Sequence, residues 1–130
     1  MDVEDYGRAI SEAFRVIKHG GELLMSITHP CFTMRAAAWT RDDAGQPGVL
    51  AVDGYFDRAV WPEHITQRFH APVLRRHRTL EDYMAGAIGA GFVLAELSEG
   101  EPTEEELRSS TRFAKMARIP HFLFLRWAKP

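Results

Sequence analysis

Seven residues, Glu22 to Thr28, read ELLMSIT; Gly20-Gly21 precede them and His29-Pro30-Cys31 follow. Leu23, Leu24, Met25 and Ile27 are too continuous for a strand with one wet face, where apolar and polar residues alternate. The run fits a strand buried on both faces, as in a parallel sheet covered by helices. Upstream, Val3, Tyr6, Ile10, Ala13, Phe14 and Ile17 recur at helical spacing and predict a helix over 3–18. Asp2 and Asp5 suit its start, where backbone N–H groups lack partners. Lys18 and His19 suit its last turn, and Gly20 can adopt the left-handed cap conformation. Helix, glycine turn and buried strand are half of an α/β crossover unit, and this one feature sets the fold class as α/β.

The rest of the chain adds elements around that unit. Thr79-Leu80-Glu81-Asp82 matches a capping box, and Leu80, Tyr83, Met84, Ala87 and Ile88 form one helical face behind it. Gly91 ends that helix, and Phe92 to Leu97 reads as a strand. Thr103 to Glu106 is a second capping box, opening a weaker helix to about residue 117. After Pro120, HFLFLRWA reads as a strand apolar on both faces and therefore central in a sheet. Residues 29–78 differ in character. Trp39, Tyr55, Phe56, Trp61 and Phe69 are mixed there with glycines and prolines, RDDAGQPG reads as an exposed turn, and short strands are expected around 54–61 and 65–76.

Composition narrows the function classes. The 130 residues suffice for one domain with one core, and 45% hydrophobic with 26% charged residues fits an ordinary globular protein. A formal net charge of -2 gives no global attraction to nucleic acid or an anionic membrane. Arg75, Arg76, His77 and Arg78 form a local basic cluster, read first as a solvated face. Cys31 is the only cysteine, so no disulfide forms within the chain. The acidic start MDVEDYGRA has no apolar signal core, and no stretch approaches the ~18 apolar residues of a membrane span. The expectation is a cytoplasmic protein.

Candidate chemistry gathers at the end of strand 22–28. In open α/β sheets ligands sit beyond the carboxyl ends of parallel strands, which puts Thr28, His29, Pro30 and Cys31 at a binding edge. His29 is then a candidate base or donor, or a loop histidine held by a backbone contact; both readings stand. Cys31 as a nucleophile needs an activating base and a third orienting group, and a buried thiol is the commoner outcome. The aromatics of the insertion line either an apolar substrate pocket, the favoured reading, or a satellite core under a long loop. His64, His70 and His77, with Glu63, have neither helical nor zinc-finger metal spacing, so no metal is expected. GAIGAG, Gly86 to Gly91, looks like a phosphate loop. It closes a helix instead of opening one, so Gly91 is read as a helix stop and Gly86 and Gly89 as close-packing positions.

The order of these segments resembles a known family. DVEDYGRAISEAFRVIKHGGELLMSITHPCF resembles the second half of class I S-adenosylmethionine-dependent methyltransferases (type 11-like), where an acidic–apolar helix ends in Lys-x-Gly-Gly before the fifth strand. HRTLEDYMAGAIGAGFVLAEL resembles the family's next helix and sixth strand, and RIPHFLFLRWAKP its closing strand. The resemblance implies a partial Rossmann-like fold over 1–130: a three-stranded mixed sheet, the last strand central and antiparallel, flanked by helices, with 33–75 as a substrate-side insertion. It implies S-adenosylmethionine as methyl donor and a small-molecule acceptor. It implies catalytic roles for His29 and His77, and acceptor contacts from Pro30, Cys31, Phe32, Tyr55, Phe56, Trp61 and Tyr83. The family's glycine-rich donor loop and acidic ribose ligand map onto nothing here, so cofactor-binding residues stay unassigned and the chain reads as starting past the fourth strand. The expectation is the substrate-binding half of a methyltransferase, inactive alone, completed by an N-terminal half or by a homodimer through the 22–28 edge. The alternative is a non-catalytic interaction or ligand-binding module of the same fold. A Cys/His hydrolase or transferase using Cys31 is the third class.

Overall fold

The computed structural model describes residues 2–64, 71–109 and 111–130. Helix α1 spans Tyr6–Val16, shorter at both ends than 3–18. Asp5 is the N-cap, its carboxylate accepting the Arg8 N–H at 2.9 Å, and Ile17 turns extended. Lys18 and His19 therefore lie past the helix. A residue from the far end of the chain caps it instead: Lys129 Nζ donates to the carbonyls of Phe14 and Ile17 at 2.6 and 2.7 Å. A cation at a helix C-terminus satisfies orphan carbonyls and opposes the helix dipole. Lys129 is only 9% exposed. Lys129→Met keeps the stem and removes the charge, and is expected to lower the unfolding free energy by about 1.5–3 kcal/mol in urea melts. An unchanged midpoint would show that solvent already satisfies those carbonyls.

Gly20, at φ 74°, makes the turn into strand β1, Glu22–Thr28, as the sequence pattern predicts. The other two strands of this sheet are β6, Val93–Glu99, and β7, Phe122–Ala128. Their order is β1-β7-β6, with β7 antiparallel to both neighbours. Helix α2, Leu80–Ala90, starts at the capping box of Thr79 and Asp82 and stops at Gly91, whose φ is 106°. Thr103 and Glu106 also cap as expected, but helix α3 covers only Glu104–Ser109, followed by a 3-10 turn at Thr111–Ala114. No residue of α3 is buried, so no packed face carries it to residue 117.

The core lies on one side of the sheet. Ile27, Leu123, Leu125 and Trp127 pack there against Ile10 of α1 and Tyr83 and Ala87 of α2. The two helices touch through Tyr6, whose ring meets Tyr83 edge-on at 5.0 Å and whose hydroxyl donates to the Tyr83 carbonyl at 2.9 Å. Gly86 makes room: a Cβ there would lie 2.6 Å from the Tyr6 ring. At Gly89 a Cβ would meet nothing within 4 Å, so that glycine is not a packing position.

The other face corrects the expectation of two buried faces. Leu24 is 74% exposed, Phe124 43% and Phe122 39%. Side chains alternate across a strand, so helices that cover Leu23, Met25 and Ile27 leave Leu24 and Ser26 outward. That open face holds a groove of about 280 Å³ lined by Leu24, Ser26, Ser98 and Phe124. Arg126 closes one end of it, bonded to Glu22 at 2.7 Å and Glu96 at 3.0 Å.

The insertion forms two hairpins. Strands β2, Ala38–Arg41, and β3, Pro47–Ala51, pair around RDDAGQPG, whose Asp42 carboxylate accepts the N–H groups of Ala44 and Gln46. Strands β4, Val60–Glu63, and β5, Val73–Arg76, form the second. The strand expected at 54–61 thus begins only at Val60, and β5 is the described part of the one expected at 65–76. Residues 65–70 lie outside the described residues.

Candidate functional site at the tip of strand β1

Strand β1 ends where the second hairpin and the start of α2 meet it. Arg75 of β5 joins them, donating to Thr28 Oγ1 at 2.6 Å and pairing with Glu63 at 2.8 Å. Arg76 pairs with Glu4 at 3.5 Å, and Arg78 donates to the carbonyls of Val3 and Glu4 at 2.8 and 2.6 Å. The basic cluster is therefore not the solvated face expected. Its guanidiniums tie β5 to the tip of β1 and to the segment leading into α1, and the side chains of Arg75 and Arg76 are only 14% and 17% exposed.

His29 is buried and fully engaged. Its Nδ1 accepts the Cys31 N–H at 3.2 Å, so Nε2 carries the proton and donates to Glu99 at 2.9 Å. The ring clamps the β1 tip to the end of β6, and neither nitrogen is left to take a proton from a ligand. Pro30 is fully buried behind it.

His77 is held differently. It is 2% exposed, and its Nε2 donates to the Tyr55 carbonyl at 2.7 Å. Its Nδ1 has no hydrogen-bond partner among the described residues. Tyr55 is itself fixed: its hydroxyl accepts the Leu80 N–H at 2.8 Å, at the first turn of α2. Burial pushes the Tyr55 phenol up, the Leu80 N–H pulls it down, and the neighbouring Cys31 thiol raises it again. Cys31, Tyr55 and His77 thus come together.

Among the described residues the remaining aromatics of the insertion do not join them in one pocket. Trp39 lies beneath Arg118 and Lys115, 4.8 and 5.8 Å from their charged ends, in a separate hollow of about 180 Å³ with Phe32. Phe56 stacks edge-on against Tyr55 but is 76% exposed. Trp61 is half-buried on β4, opposite Arg75. Phe69 and His70 lie outside the described residues. Among the described residues no three histidine, cysteine or acidic side chains are placed to hold a metal ion.

Tyr83 sits in the core at 1% exposure, beside Arg78. Burial raises its phenol, while Arg78 and then Arg75 draw it down. Burial first, then the nearby Tyr83, push Tyr6 up to about 12 against Arg78, so Tyr6 stays a donor at any physiological pH.

Asp82 holds this arrangement from outside. Its carboxylate takes Arg58 through two bonds of 2.9 and 2.8 Å and also caps α2, which anchors the loop bearing Tyr55. The Arg58 bonds chiefly hold its carboxyl at about 2, below the ordinary 3.8. A lowered folded value means stability present above the ordinary carboxylate range and lost as pH falls through about 2. The side chain is 28% exposed, so screening reduces the effect to about 1–2 kcal/mol. Asp82→Asn is expected to remove that part of the loss between pH ~4 and ~2 in acid titrations of stability. Superimposable acid profiles of the two proteins would contradict it.

The residues present do not fit the methyl donor that the sequence resemblance implies. A donor cradle needs glycines whose missing side chains leave room for the ligand. Here a Cβ at Gly86 would meet Tyr6, one at Gly91 would meet Phe14, and one at Gly100 would meet Phe124, each under 3.0 Å. The protein's own rings fill the space at these three glycines.

No family model and no curated protein matches the sequence. Solved structures do. One from Listeria monocytogenes, described as an S-adenosylmethionine-dependent methyltransferase, superimposes with a TM-score of 0.79 at 24% identity, over 97% of this chain and 55% of its own. An S-adenosylmethionine-dependent methyltransferase from Mesorhizobium loti gives 0.76 at 23%, over 96% and 56%. The chain has part of the Rossmann-like methyltransferase fold. It spans just over half the length of these two structures. The β1-β7-β6 order is the one expected from the family resemblance. No helix among the described residues is long and apolar enough to cross a membrane.

Proposed function

We propose that these residues are the acceptor-binding half of an S-adenosylmethionine-dependent small-molecule methyltransferase, the donor being held by other residues. The observation that supports it is His77 Nδ1, a buried nitrogen with no partner among the described residues, on a histidine that lines a groove of about 600 Å³ with Tyr6, Arg76 and Arg78. The Tyr55 carbonyl fixes the proton on Nε2, which leaves Nδ1 as the lone pair that takes a proton from an acceptor hydroxyl or amine. His29 is a positioning residue: it shapes the β1 tip through Glu99 and Cys31. Tyr6 and Arg76, which line the same groove, orient the acceptor around His77, and Tyr55 holds the His77 ring from behind. The chain contributes alignment and exclusion of water, which carry much of the rate in a transfer between two bound reactants.

The β1 edge completes the proposal. Among the described residues β1 pairs only with β7, and the open face beside it exposes Leu24 and Phe124. An apolar edge strand of this kind is a template for pairing. We propose that it takes a further strand, from a second copy of the chain or from the donor-binding half.

The test is methyl transfer from labelled S-adenosylmethionine to a panel of small hydroxyl and amine acceptors, with sedimentation of the same sample. The chain alone is expected to transfer no label and to sediment as a dimer, or to show exposed-edge association. Turnover by the chain alone would overturn the half-site reading. A stable monomer with its edge open would overturn the pairing. Absence of any acceptor binding to the dimer would favour an interaction module of the same fold.

A further inference from the structure

The hollow beside Trp39 differs in chemistry from the groove beside His77 and shares no lining residue with it. Hairpin β2–β3 supplies Trp39, Leu50 and Val52; the segment leading into β7 supplies Arg118 and Ile119. Phe32 lines it as well, its ring 4.8 Å from the His29 ring that clamps the tip of β1. Every lining side chain but Arg118 is aromatic or aliphatic. Two cations meet one ring at its edge. Arg118 and Lys115 lie 4.8 and 5.8 Å from the centre of the Trp39 indole, on one turn in which the Arg118 N–H donates to the Lys115 carbonyl at 3.2 Å. The indole face offsets only part of their mutual repulsion. Arg118 also gives one amino group to the Pro47 carbonyl at 3.0 Å. Neither cation meets a carboxylate among the described residues, and every Asp and Glu of the chain lies among them. Acidic residues outnumber Lys and Arg by 18 to 16 over the chain, yet none answers this pair.

We infer that this hollow binds a small aliphatic monocarboxylate, its hydrocarbon body against Leu50, Val52, Ile119 and the Trp39 ring and its carboxylate at Arg118 and Lys115. An apolar cleft with unmatched positive charge at its edge is complementary to a molecule with an apolar body and one anionic end. A guanidinium takes a carboxylate through charge-assisted bonds, and the second cation adds to the attraction. The size is set by the hollow. Its volume of about 180 Å³ is below the ~300–1,000 Å³ of drug-sized pockets, which limits the body to about six to eight carbons. Val52 is 45% exposed, so a longer chain runs out into water. The assignment is independent of the methyltransferase reading, since it uses neither the His77 groove nor a methyl donor.

The test is calorimetric titration of the folded chain with butanoate, hexanoate, octanoate and dodecanoate, with octan-1-ol as the uncharged control. Octanoate is expected to bind saturably with a Kd of about 0.1–1 mM, ordinary for a ligand of its size. Affinity should rise by up to about fourfold per added CH₂ as far as octanoate and flatten from there to dodecanoate. Octanol should bind about tenfold more weakly or worse, the loss expected for a charge-assisted bond. Arg118→Gln should weaken octanoate about tenfold, but Arg118 also anchors the Pro47 carbonyl. Lys115→Gln is therefore the second variant: the side chain is exposed and touches only the Trp39 ring, so the melting temperature should hold while octanoate weakens about threefold or more. Equal binding of octanol and octanoate, no saturation by the folded chain up to about 10 mM, or unaltered octanoate affinity in both variants would each overturn the assignment. So would affinity that keeps climbing to dodecanoate, which a hollow of this size cannot give. Tighter binding to phosphatidylglycerol vesicles than to octanoate would reassign the cation pair to a lipid surface and overturn the small acid.

Discussion

Replacing Trp127 by alanine is expected to lower the unfolding free energy by about 3–5 kcal/mol, the largest effect of any single change considered. Trp127 lies on the central strand, 0% exposed, with Leu23 opposite it on β1 and Leu94 on β6. The sheet has one packed face, so a cavity under Trp127 opens in the only core it has among the described residues. Against a typical domain stability of about 5–15 kcal/mol, that loss removes much or all of the cooperative transition. Trp127→Phe separates volume from chemistry. The indole Nε1–H has no partner among the described residues, so the phenylalanine variant gives up area but no hydrogen bond. Urea unfolding followed by circular dichroism checks both. A change under about 1 kcal/mol for the alanine variant would mean that the core lies elsewhere.

The second large effect is expected at Gly91. Its φ of 106° is a conformation that L side chains rarely adopt, and a Cβ there would lie 2.8 Å from the Phe14 ring. Backbone strain of about 1–3 kcal/mol adds to an overpacking cost of similar size. Phe14 has little freedom to retreat, since it meets Phe92 edge-on at 5.0 Å and Lys129 Nζ lies 4.4 Å from its ring centre. Gly91→Ala is thus expected to cost about 2–4 kcal/mol and to loosen the α1 cap along with the α2 stop. Gly89→Ala is the matched control. It sits in open space and should be neutral or slightly stabilising, as alanine is the better helix former. If the two variants melt alike, neither the strain nor the clash at Gly91 is real.

Local chemistry made much of the fold legible. The Thr79–Asp82 capping box and Gly91 mark the two ends of α2, and the apolar run marks β1, because these signals act within a few residues. The antiparallel central strand came from the family resemblance, since periodicity gives element types and not their order. What the sequence did not disclose depends on distant partners. A run such as Leu23-Leu24-Met25 states that both faces favour burial; it does not state that a second layer is present in these residues. The Lys129 cap on α1 joins the two ends of the chain. Arg75, Arg76 and Arg78 look like a solvated face until the hairpin folds them onto Thr28 and the start of α1.

The candidate site was legible in outline only. The edge at Thr28 to Cys31 follows from strand direction, and Cys31, Tyr55 and His77 do meet. Yet the two histidines, alike in sequence, differ in the one property that matters. His29 has both nitrogens occupied, through Glu99 and the Cys31 amide, and His77 has one in hand. Glu99 is seventy residues from His29 in the chain, and no periodic signal connects them. The aromatics divided between two hairpins, since strand pairing sets Trp39 against Leu50 and Trp61 against Arg75.

These residues are proposed to hold an acceptor and not the methyl donor. Calorimetric titration of the folded chain with S-adenosylhomocysteine tests it most directly, with circular dichroism of the same sample to establish that it is folded. No saturable heat is expected up to about 1 mM, since the family's glycine-rich donor loop has no counterpart here and the space at Gly86, Gly91 and Gly100 is taken by Tyr6, Phe14 and Phe124. Saturable binding in the micromolar range would contradict it, and would mean that the chain builds a donor site from residues that neither its sequence nor its fold assigns to one.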